Sequence, residues 1–225
     1  MTFTLLHILS SILNIMKIPS RFGLYAILTD PLPGYEYMTQ LFVDHQITFI
    51  QLRMKKEPLD SIKATAERLR AITEGSGSRL IINDHPQIAA EVGADGVHLG
   101  QDDLPCAQVR AMLGDNAIIG LSTHSPAQTA AAYKLSPDYI GMGPVYPTPT
   151  KEKADPVIGI KGMQEMLGMA TVPAVAIGGI DLSNLREVLE AGAQNFCMVR
   201  QFMRAEEPEK VLQKVLNVYR EYYPH

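Results

Sequence analysis

The chain has 225 residues, 46% of them hydrophobic, which is enough for one large core, and a net charge of −4. This charge excludes a general attraction to nucleic acid or an anionic membrane, so an anionic ligand needs local positive charge. The two cysteines, Cys106 and Cys197, lack metal-site spacing, which favours reduced thiols and a cytoplasmic location over a disulfide. No apolar stretch reaches the roughly 18–20 residues that a membrane span needs.

Residues 1–19 form an apolar extension ahead of the regular pattern. The segment lacks a basic start and a small-residue cleavage site, so it is not predicted to be a signal peptide. A short helix packed on the rest of the chain or on a partner fits this segment, and so does a later start of the protein at Met16. We assign it no function.

From Phe22 onward, short apolar runs alternate with helical patterns, which predicts parallel strands covered by helices. Most of these runs are continuously apolar, as expected for strands buried on both faces. They lie at residues 23–29, 49–54, 79–83, 96–99, 117–122, 139–145, 173–177 and 195–199. Eight strand–helix units without a Gly-x-Gly-x-x-Gly motif after the first strand favour a single TIM (β/α)8 barrel over a doubly wound sheet. The barrel is predicted to span residues 20–225 as one domain.

Gln51, Arg53 and Lys55 alternate along the second predicted strand, so their side chains point to the same side. Inward-facing Arg and Lys at a strand end are costly unless they meet an anion. A planar guanidinium beside a compact ammonium is typical of phosphate recognition, and the Gln51 amide suits a nitrogen heterocycle. The alternative is an internal salt bridge to neighbouring carboxylates.

Asn83 and Asp84 end the third predicted strand, and Asp103 follows the fourth. Adjacent strand ends of a barrel bring such carboxylates close together, where Mg²⁺ with water and phosphate oxygens would balance their charge. Each carboxylate has an alternative role as a cap of the helix that a following proline begins. The neighbouring basic residues, Arg53 and Lys55, favour the metal site over the helix caps, because a metal–diphosphate site needs both signs of charge.

The later strand ends carry hydroxyls, an amine and backbone positions that suit a phosphate. They are Ser122 after the fifth strand, Thr148, Thr150 and Lys151 after the sixth, Gly178 and Gly179 after the seventh, and Val199 and Arg200 after the eighth. Of the six histidines, His98 lies within a strand and His124 just past one. We interpret both as hydrogen-bonded structural or lining groups rather than general bases.

From about Phe22 to its C-terminus, the chain resembles the thiamine phosphate synthase family, because that family's spaced motifs occur in order. The motifs are Gln-Leu-Arg-Met-Lys at 51–55, Ile-Asn-Asp at 82–84, the run 93–103, Gly-Leu-Ser-Thr-His at 120–124, the segment 143–151 and Ala-Ile-Gly-Gly-Ile at 176–180. The resemblance implies condensation of 4-amino-5-hydroxymethyl-2-methylpyrimidine diphosphate with a hydroxyethylthiazole phosphate, or its carboxylated form. The products would be thiamine phosphate and pyrophosphate.

The resemblance also implies a role for each candidate residue. Gln51 would read the aminopyrimidine, and Asp84 with Asp103 would bind Mg²⁺. The diphosphate would be held by Arg53, Lys55, Asn83, Ser122 and Lys151. The thiazole phosphate would be held by Thr148, Thr150, Gly179 and the backbone near Val199 and Arg200. Catalysis would fall to Arg53, Lys55, Ser122 and Lys151, which neutralise the leaving pyrophosphate while a pyrimidine cation forms.

Two features depart from the family pattern. The stretch 194–197, which includes Asn195, is bulkier and more polar than the small residues expected in the eighth strand. Arg200 stands where a small residue is often found, either as a further phosphate contact or as an ion-paired group at the rim.

Two other functions stay open. A thiazole tautomerase shares the barrel, but it needs a proton shuttle, and Pro144 occupies the place where a histidine would be expected. A non-catalytic barrel that binds a phosphorylated ligand is the other, and Lys151 and the two carboxylates argue against it. The expected partners are small phosphorylated heterocycles, with no nucleic acid and no membrane, and a homo-oligomer is left open.

Overall fold

The structure, a computed structural model, describes residues 17–148 and 155–224. Within these ranges, eight parallel strands pair in chain order and close into one barrel, which confirms the predicted TIM (β/α)8 fold. The strands are β1 (Gly23–Leu28), β2 (Phe49–Leu52), β3 (Arg79–Asn83), β4 (Gly96–Leu99), β5 (Ile118–Thr123), β6 (Tyr139–Met142), β7 (Ala174–Ala176) and β8 (Asn195–Phe196). The helices are α1 (Tyr35–Asp44), α2 (Leu59–Thr73), α3 (Pro86–Val92), α4 (Cys106–Leu113), α5 (Pro126–Tyr133), α6 (Gly159–Gly168), α7 (Leu185–Glu190), α8 (Arg200–Met203) and α9 (Pro208–Tyr222).

The strands bury both faces, because successive side chains point alternately outward and inward. Outward residues such as Leu24 and Ile50 pack against the helices in the larger core. Inward residues such as Tyr25, Phe49 and Ile81 fill the barrel interior. The interior is therefore a packed core, and the polar residues that continue its rows form the rim at the C-terminal strand ends.

The helices follow the pattern of buried positions in their sequences. In α2, Ile62, Ala66 and Leu69 recur at helical spacing and are buried against the sheet. At the start of α5, the backbone N–H of Gln128 donates to the Ser125 hydroxyl at 3.2 Å, which is an N-cap bond.

Asn195 closes the barrel between β8 and β1. Its side-chain oxygen accepts hydrogen bonds from the backbone N–H of Phe22 at 2.7 Å and of Gly23 at 3.2 Å. Its amide nitrogen donates to the carbonyls of Ser20 at 3.0 Å and Ala174 at 3.3 Å. The polar residue that departs from the family pattern in the eighth strand is thus a buried clamp with every hydrogen-bonding group in use.

The chain enters the described region at Lys17, which forms an ion pair with Asp138 at 3.3 Å. Ile18 is buried and packs with the barrel interior. Most of the apolar extension, residues 1–16, lies outside the described residues. In the part of the chain that the structure describes, no helix is long and apolar enough to cross a membrane.

Candidate functional site

A cavity of about 580 Å³ opens at the C-terminal ends of the strands. Seven of the predicted strand-end residues line it: Arg53, Ser122, Thr148, Gly178, Gly179, Val199 and Arg200. Thr150 and Lys151 lie outside the described residues, so their predicted roles stay predictions. The strand order therefore brings together residues that are up to about 150 positions apart in sequence, as the closed barrel requires.

Arg53 provides positive charge beside the apolar floor of the cavity. Burial lowers the pKa of its guanidinium, and the negative charge of Asp84 opposes this shift. Among the described residues, no carboxylate lies within ion-pair distance of the guanidinium. A half-buried cation without a close counter-ion from these residues is suited to bind an anionic ligand. Burial also raises the pKa of the neighbouring Cys197 thiol far above its usual range, so the thiol stays protonated.

Lys55, Asp84 and Asp103 form a charged cluster beside the cavity. The Lys55 ammonium forms an ion pair with Asp84, so the salt-bridge alternative describes Lys55 in this structure. Asp103 accepts a hydrogen bond from the backbone N–H of Gly100 at 2.6 Å. Burial raises the pKa of the Asp103 carboxyl, and the Asp84 charge and a hydrogen bond between the two side chains add to the shift. The two carboxylates therefore lie close together, as expected from their positions at adjacent strand ends.

The helix-cap alternatives for these two carboxylates are wrong. The residue that precedes α3 is His85, and the residue that precedes α4 is Pro105; neither makes a side-chain cap bond. Asp84 instead has a left-handed backbone, with φ of 64°, and its N–H donates to the His98 carbonyl at 2.9 Å. The carboxylates are consequently not needed to start the helices.

The donor set fits Mg²⁺ that binds together with a phosphorylated ligand. Among the described residues, no group of three or more His, Cys, Asp or Glu side chains is placed to hold a metal ion. Two carboxylates alone do not close a coordination sphere. Mg²⁺ commonly binds one or two carboxylates and completes its sphere with water and substrate phosphate oxygens. An ion at Asp84 and Asp103 would therefore depend on the ligand.

The loops after β6 and β7 form one wall of the cavity. The backbone N–H of Val145 donates to the Ile177 carbonyl, and that of Tyr146 to the Gly178 carbonyl, both at 2.9 Å. A side chain on Gly178 could not fit, because its Cβ would lie 2.5 Å from the Cα of Pro144. The pair of glycines after β7 thus allows two backbones to approach closely, next to Thr148 in the cavity lining.

His124 contacts residues on both sides of the segment that carries Thr148, Thr150 and Lys151. Its Nδ1 lies 2.6 Å from the Gly143 carbonyl oxygen, before that segment, and its Nε2 lies 3.5 Å from the Asp155 carboxylate, just after it. His124 also lines the cavity, so its interpretation as a hydrogen-bonded lining group is confirmed. The contact with Asp155 could not be found from sequence, since the two residues lie on separate strand–helix units.

Two predicted residues, Gln51 and Asn83, lie in the rim but do not line the cavity. Gln51 is only 1% exposed, and its amide nitrogen donates to the Tyr25 hydroxyl at 3.0 Å. Asn83 is buried at the end of β3 and pairs in register with His98. Sequence reasoning missed the two interior tyrosines, Tyr25 and Tyr139. Their only signal was a polar hydroxyl within otherwise apolar strands.

Comparison with known proteins finds similar sequences and a similar structure in one family. The family profile TMP-TENI, described as thiamine monophosphate synthase, matches residues 24–202. A thiamine-phosphate synthase of Gloeobacter violaceus is 42% identical over 182 residues, 81% of this chain but 53% of the relative, so the chain spans about half that relative's length. One from Caldicellulosiruptor bescii is 37% identical over 185 residues, 82% of this chain and 84% of the relative.

A solved structure gives the same result. The thiamine phosphate pyrophosphorylase of Pyrococcus furiosus superposes with a TM-score of 0.81 at 30% sequence identity, covering 90% of this chain and 97% of its own. The family that the motifs predicted is therefore confirmed, together with its transferase type of activity. The chain belongs to the thiamine monophosphate synthase family.

Proposed function

We propose that the protein condenses 4-amino-5-hydroxymethyl-2-methylpyrimidine diphosphate with a hydroxyethylthiazole phosphate, or its carboxylated form, and releases pyrophosphate. The observation that carries this proposal is the meeting of a half-buried cationic cavity with two adjacent carboxylates. The carboxylate side of the rim suits a metal-bound diphosphate. The opposite side, built by the ends of β6 to β8, suits a second phosphorylated ring.

The diphosphate would bind Arg53, Lys55, Asn83 and Ser122. Attraction between Arg53 and an anion is strengthened by its partial burial, because the local dielectric is lower than that of water. Lys55 is exposed and pairs with Asp84. Its long side chain can turn to a phosphate oxygen once the carboxylate has another cation to bind.

Asp84 and Asp103 would hold Mg²⁺ in this site, together with phosphate oxygens of the substrate. When bound, the ion supplies positive charge that neutralises the leaving pyrophosphate. The chain's own cations, Arg53 and Lys55, would stabilise the same developing charge. Lys151 is proposed to join them on the strength of the family motif.

Loss of pyrophosphate would leave a cation at the pyrimidine methylene carbon, which the electron-rich ring stabilises. The lining by Ile27, Ile177 and Val199 keeps water away from that carbon. The Cys197 thiol stays protonated because burial raises its pKa, so it does not compete as a nucleophile. The thiazole nitrogen can then capture the cation, and this step depends mainly on positioning.

The thiazole phosphate would be held by Thr148, Thr150, the backbone N–H groups near Gly179, and Val199 with Arg200. Arg200 lines the cavity and is exposed, which supports its role as a further phosphate contact. Gly178 and Gly179 line the cavity, which supports a phosphate contact from their backbone. A cytoplasmic location and a homo-oligomer stay predictions.

The test is to measure pyrophosphate release by the purified protein with Mg²⁺ and the pyrimidine diphosphate, with and without the thiazole phosphate. We expect thiamine phosphate and pyrophosphate in equal amounts, only when both substrates and the metal are present. Isomerisation of the thiazole without condensation would favour the tautomerase. Tight binding of either substrate without turnover would favour a non-catalytic barrel.

A further inference from the structure

A series of hydrogen bonds between side chains crosses the barrel interior beneath the cavity. The Gln51 amide nitrogen donates to the Tyr25 hydroxyl at 3.0 Å, and the Tyr25 and Tyr139 hydroxyl oxygens are 2.6 Å apart. The Tyr139 hydroxyl lies 3.0 Å from His98 Nδ1, and His98 Nε2 lies 2.9 Å from the Ser122 hydroxyl. These hydrogen bonds therefore join Gln51, which the family resemblance assigns to the aminopyrimidine, to Ser122, which lines the cavity, through three residues without a proposed substrate contact.

The packing of the interior fixes the rings in this chain. The ring of Tyr25 stacks on Phe49 with 5.6 Å between centroids and an interplanar angle of 15°. Tyr139 fills space that Gly120 leaves open, because a Cβ on that glycine would lie 2.1 Å from the Tyr139 ring. Both tyrosines are at most 2% exposed. The hydroxyl groups thus have little freedom to find other partners.

The direction of the hydrogen bonds follows from counting protons. Burial raises the pKa of both tyrosines far above their usual range, so each hydroxyl keeps one proton. The Tyr25 hydroxyl oxygen accepts a hydrogen bond from the Gln51 amide, so the Tyr25 O–H donates to Tyr139, and the Tyr139 O–H donates in turn to His98 Nδ1. The neutral imidazole then carries its proton on Nε2 and donates it to the Ser122 oxygen. The reverse direction would require the Gln51 amide to turn over and present its oxygen to Tyr25.

We infer that Tyr25, Tyr139 and His98 form a relay of fixed direction that sets the hydrogen-bonding character of Gln51 and Ser122. With its nitrogen on Tyr25, Gln51 has its amide oxygen left to accept from an amino group. With its oxygen accepting from His98, Ser122 has its own proton left to donate to an anionic oxygen. The two ends match an aminopyrimidine and a diphosphate, so this inference rests on the proposed function. Tyr139 and His98 act in it as positioning residues.

The direction can be measured in the ligand-free full-length protein. Long-range ¹H–¹⁵N NMR of histidine-labelled protein reports which ring nitrogen carries the proton, and comparison with a His98→Gln variant assigns the signals. We expect His98 to be protonated on Nε2, with a hydrogen-bonded, unprotonated Nδ1. Protonation on Nδ1 would overturn the inference. This result does not depend on turnover, so it separates failure of the relay from failure of the proposed function.

Kinetics test whether the relay acts through Ser122. Tyr139→Phe leaves the imidazole held at one nitrogen, and we expect kcat/KM for the pyrimidine diphosphate to fall by about tenfold, as for one weakened charge-assisted hydrogen bond. The KM for the thiazole phosphate should not change. In a Ser122→Ala background, Tyr139→Phe should have no further effect, and an equal loss there would show that the relay does not act through Ser122.

Tyr219→Phe is the matched control. It removes a hydroxyl that donates to the Gln194 carbonyl at 3.0 Å, at the N-terminal end of the barrel. We expect it to leave both the kinetics and the His98 NMR signals unchanged. If Tyr139→Phe fails to fold, the NMR measurement on the unsubstituted protein still decides the direction of the relay.

Discussion

At the scale of single residues, the adjacent carboxylates of Asp84 and Asp103 repel each other, and a bound metal ion would reduce this repulsion. The pKa of Asp103 is raised by burial and by Asp84, so its ionised form is disfavoured in the folded protein. At pH values above that pKa, the ionised Asp103 carboxylate therefore lowers the stability of the metal-free folded protein. We expect Asp103→Asn to stabilise the metal-free protein at neutral pH by up to about 1 kcal/mol, because solvent screens a partly exposed pair.

The gain should shrink as the pH falls through the raised pKa of Asp103, because the unsubstituted carboxyl then becomes neutral as well. Thermal unfolding in EDTA between pH 4 and 7 measures this difference. Added Mg²⁺ with pyrophosphate should stabilise the unsubstituted protein and not the variant. Asp102→Asn removes the same charge from an exposed neighbour and serves as the control. Lower stability of Asp103→Asn at neutral pH would contradict the expectation.

Sequence could predict which residues reach the rim, but not which of them pair there. Strand-end polar residues such as Arg53 and Ser122 were found because a parallel barrel brings all its C-terminal strand ends to one side. The ion pair between Lys55 and Asp84 depends on side-chain reach across two strands. Tyr139 was read as an apolar strand residue, because its hydroxyl has meaning only once Tyr25 and His98 are placed around it.

At the scale of secondary-structure elements, the predicted strands run longer than the observed ones at the rim. Strand β6 ends at Met142 rather than at residue 145, and β8 is only two residues long. Apolar residues continue past both ends because they are buried in the hydrophobic core, as Val145 is. An apolar run alone does not distinguish a strand from a buried apolar loop, so the sequence pattern could not locate these strand ends.

His124 contacts the chain on both sides of residues 149–154, at Gly143 and at Asp155. We expect His124→Gln to raise the KM for the thiazole phosphate by about fivefold, as for loss of a contact worth about 1 kcal/mol. Glutamine can still donate to the Gly143 carbonyl. It lacks the second ring nitrogen through which His124 contacts Asp155. Steady-state kinetics with each substrate varied in turn measure the effect.

His45→Gln is the control for that substitution, because His45 contacts Glu209 at 3.6 Å in a similar histidine–carboxylate pair away from the cavity. It should leave both KM values unchanged. Asp155→Asn should weaken thiazole phosphate binding by a similar amount, and the double variant with His124→Gln should be no worse than the single one. Additive losses would mean that the two residues do not act as a pair.

At the scale of the whole molecule, the alternation of elements predicted the barrel, but the way it closes had to come from the structure. Pairing of β8 with β1 joins the first and last strands of the barrel, and two register pairs connect them. Local pattern carries no information about so distant a pairing. This closure explains the polar side chain of Asn195, within the stretch that departs from the family pattern.

Asn195 should therefore govern the stability of the entire barrel. Asn195→Ala leaves the backbone N–H groups of Phe22 and Gly23 without their acceptor in a buried seam, and we expect a loss of about 3 kcal/mol in the free energy of unfolding. Urea unfolding followed by circular dichroism measures this, and the transition should stay cooperative. Gln194→Ala, at the exposed neighbour, should change the stability by less than about 0.5 kcal/mol. If both variants were equally stable, strand pairing and core packing alone would hold β8 to β1. If Asn195→Ala lost activity without losing stability, the residue would serve the cavity rather than the closure.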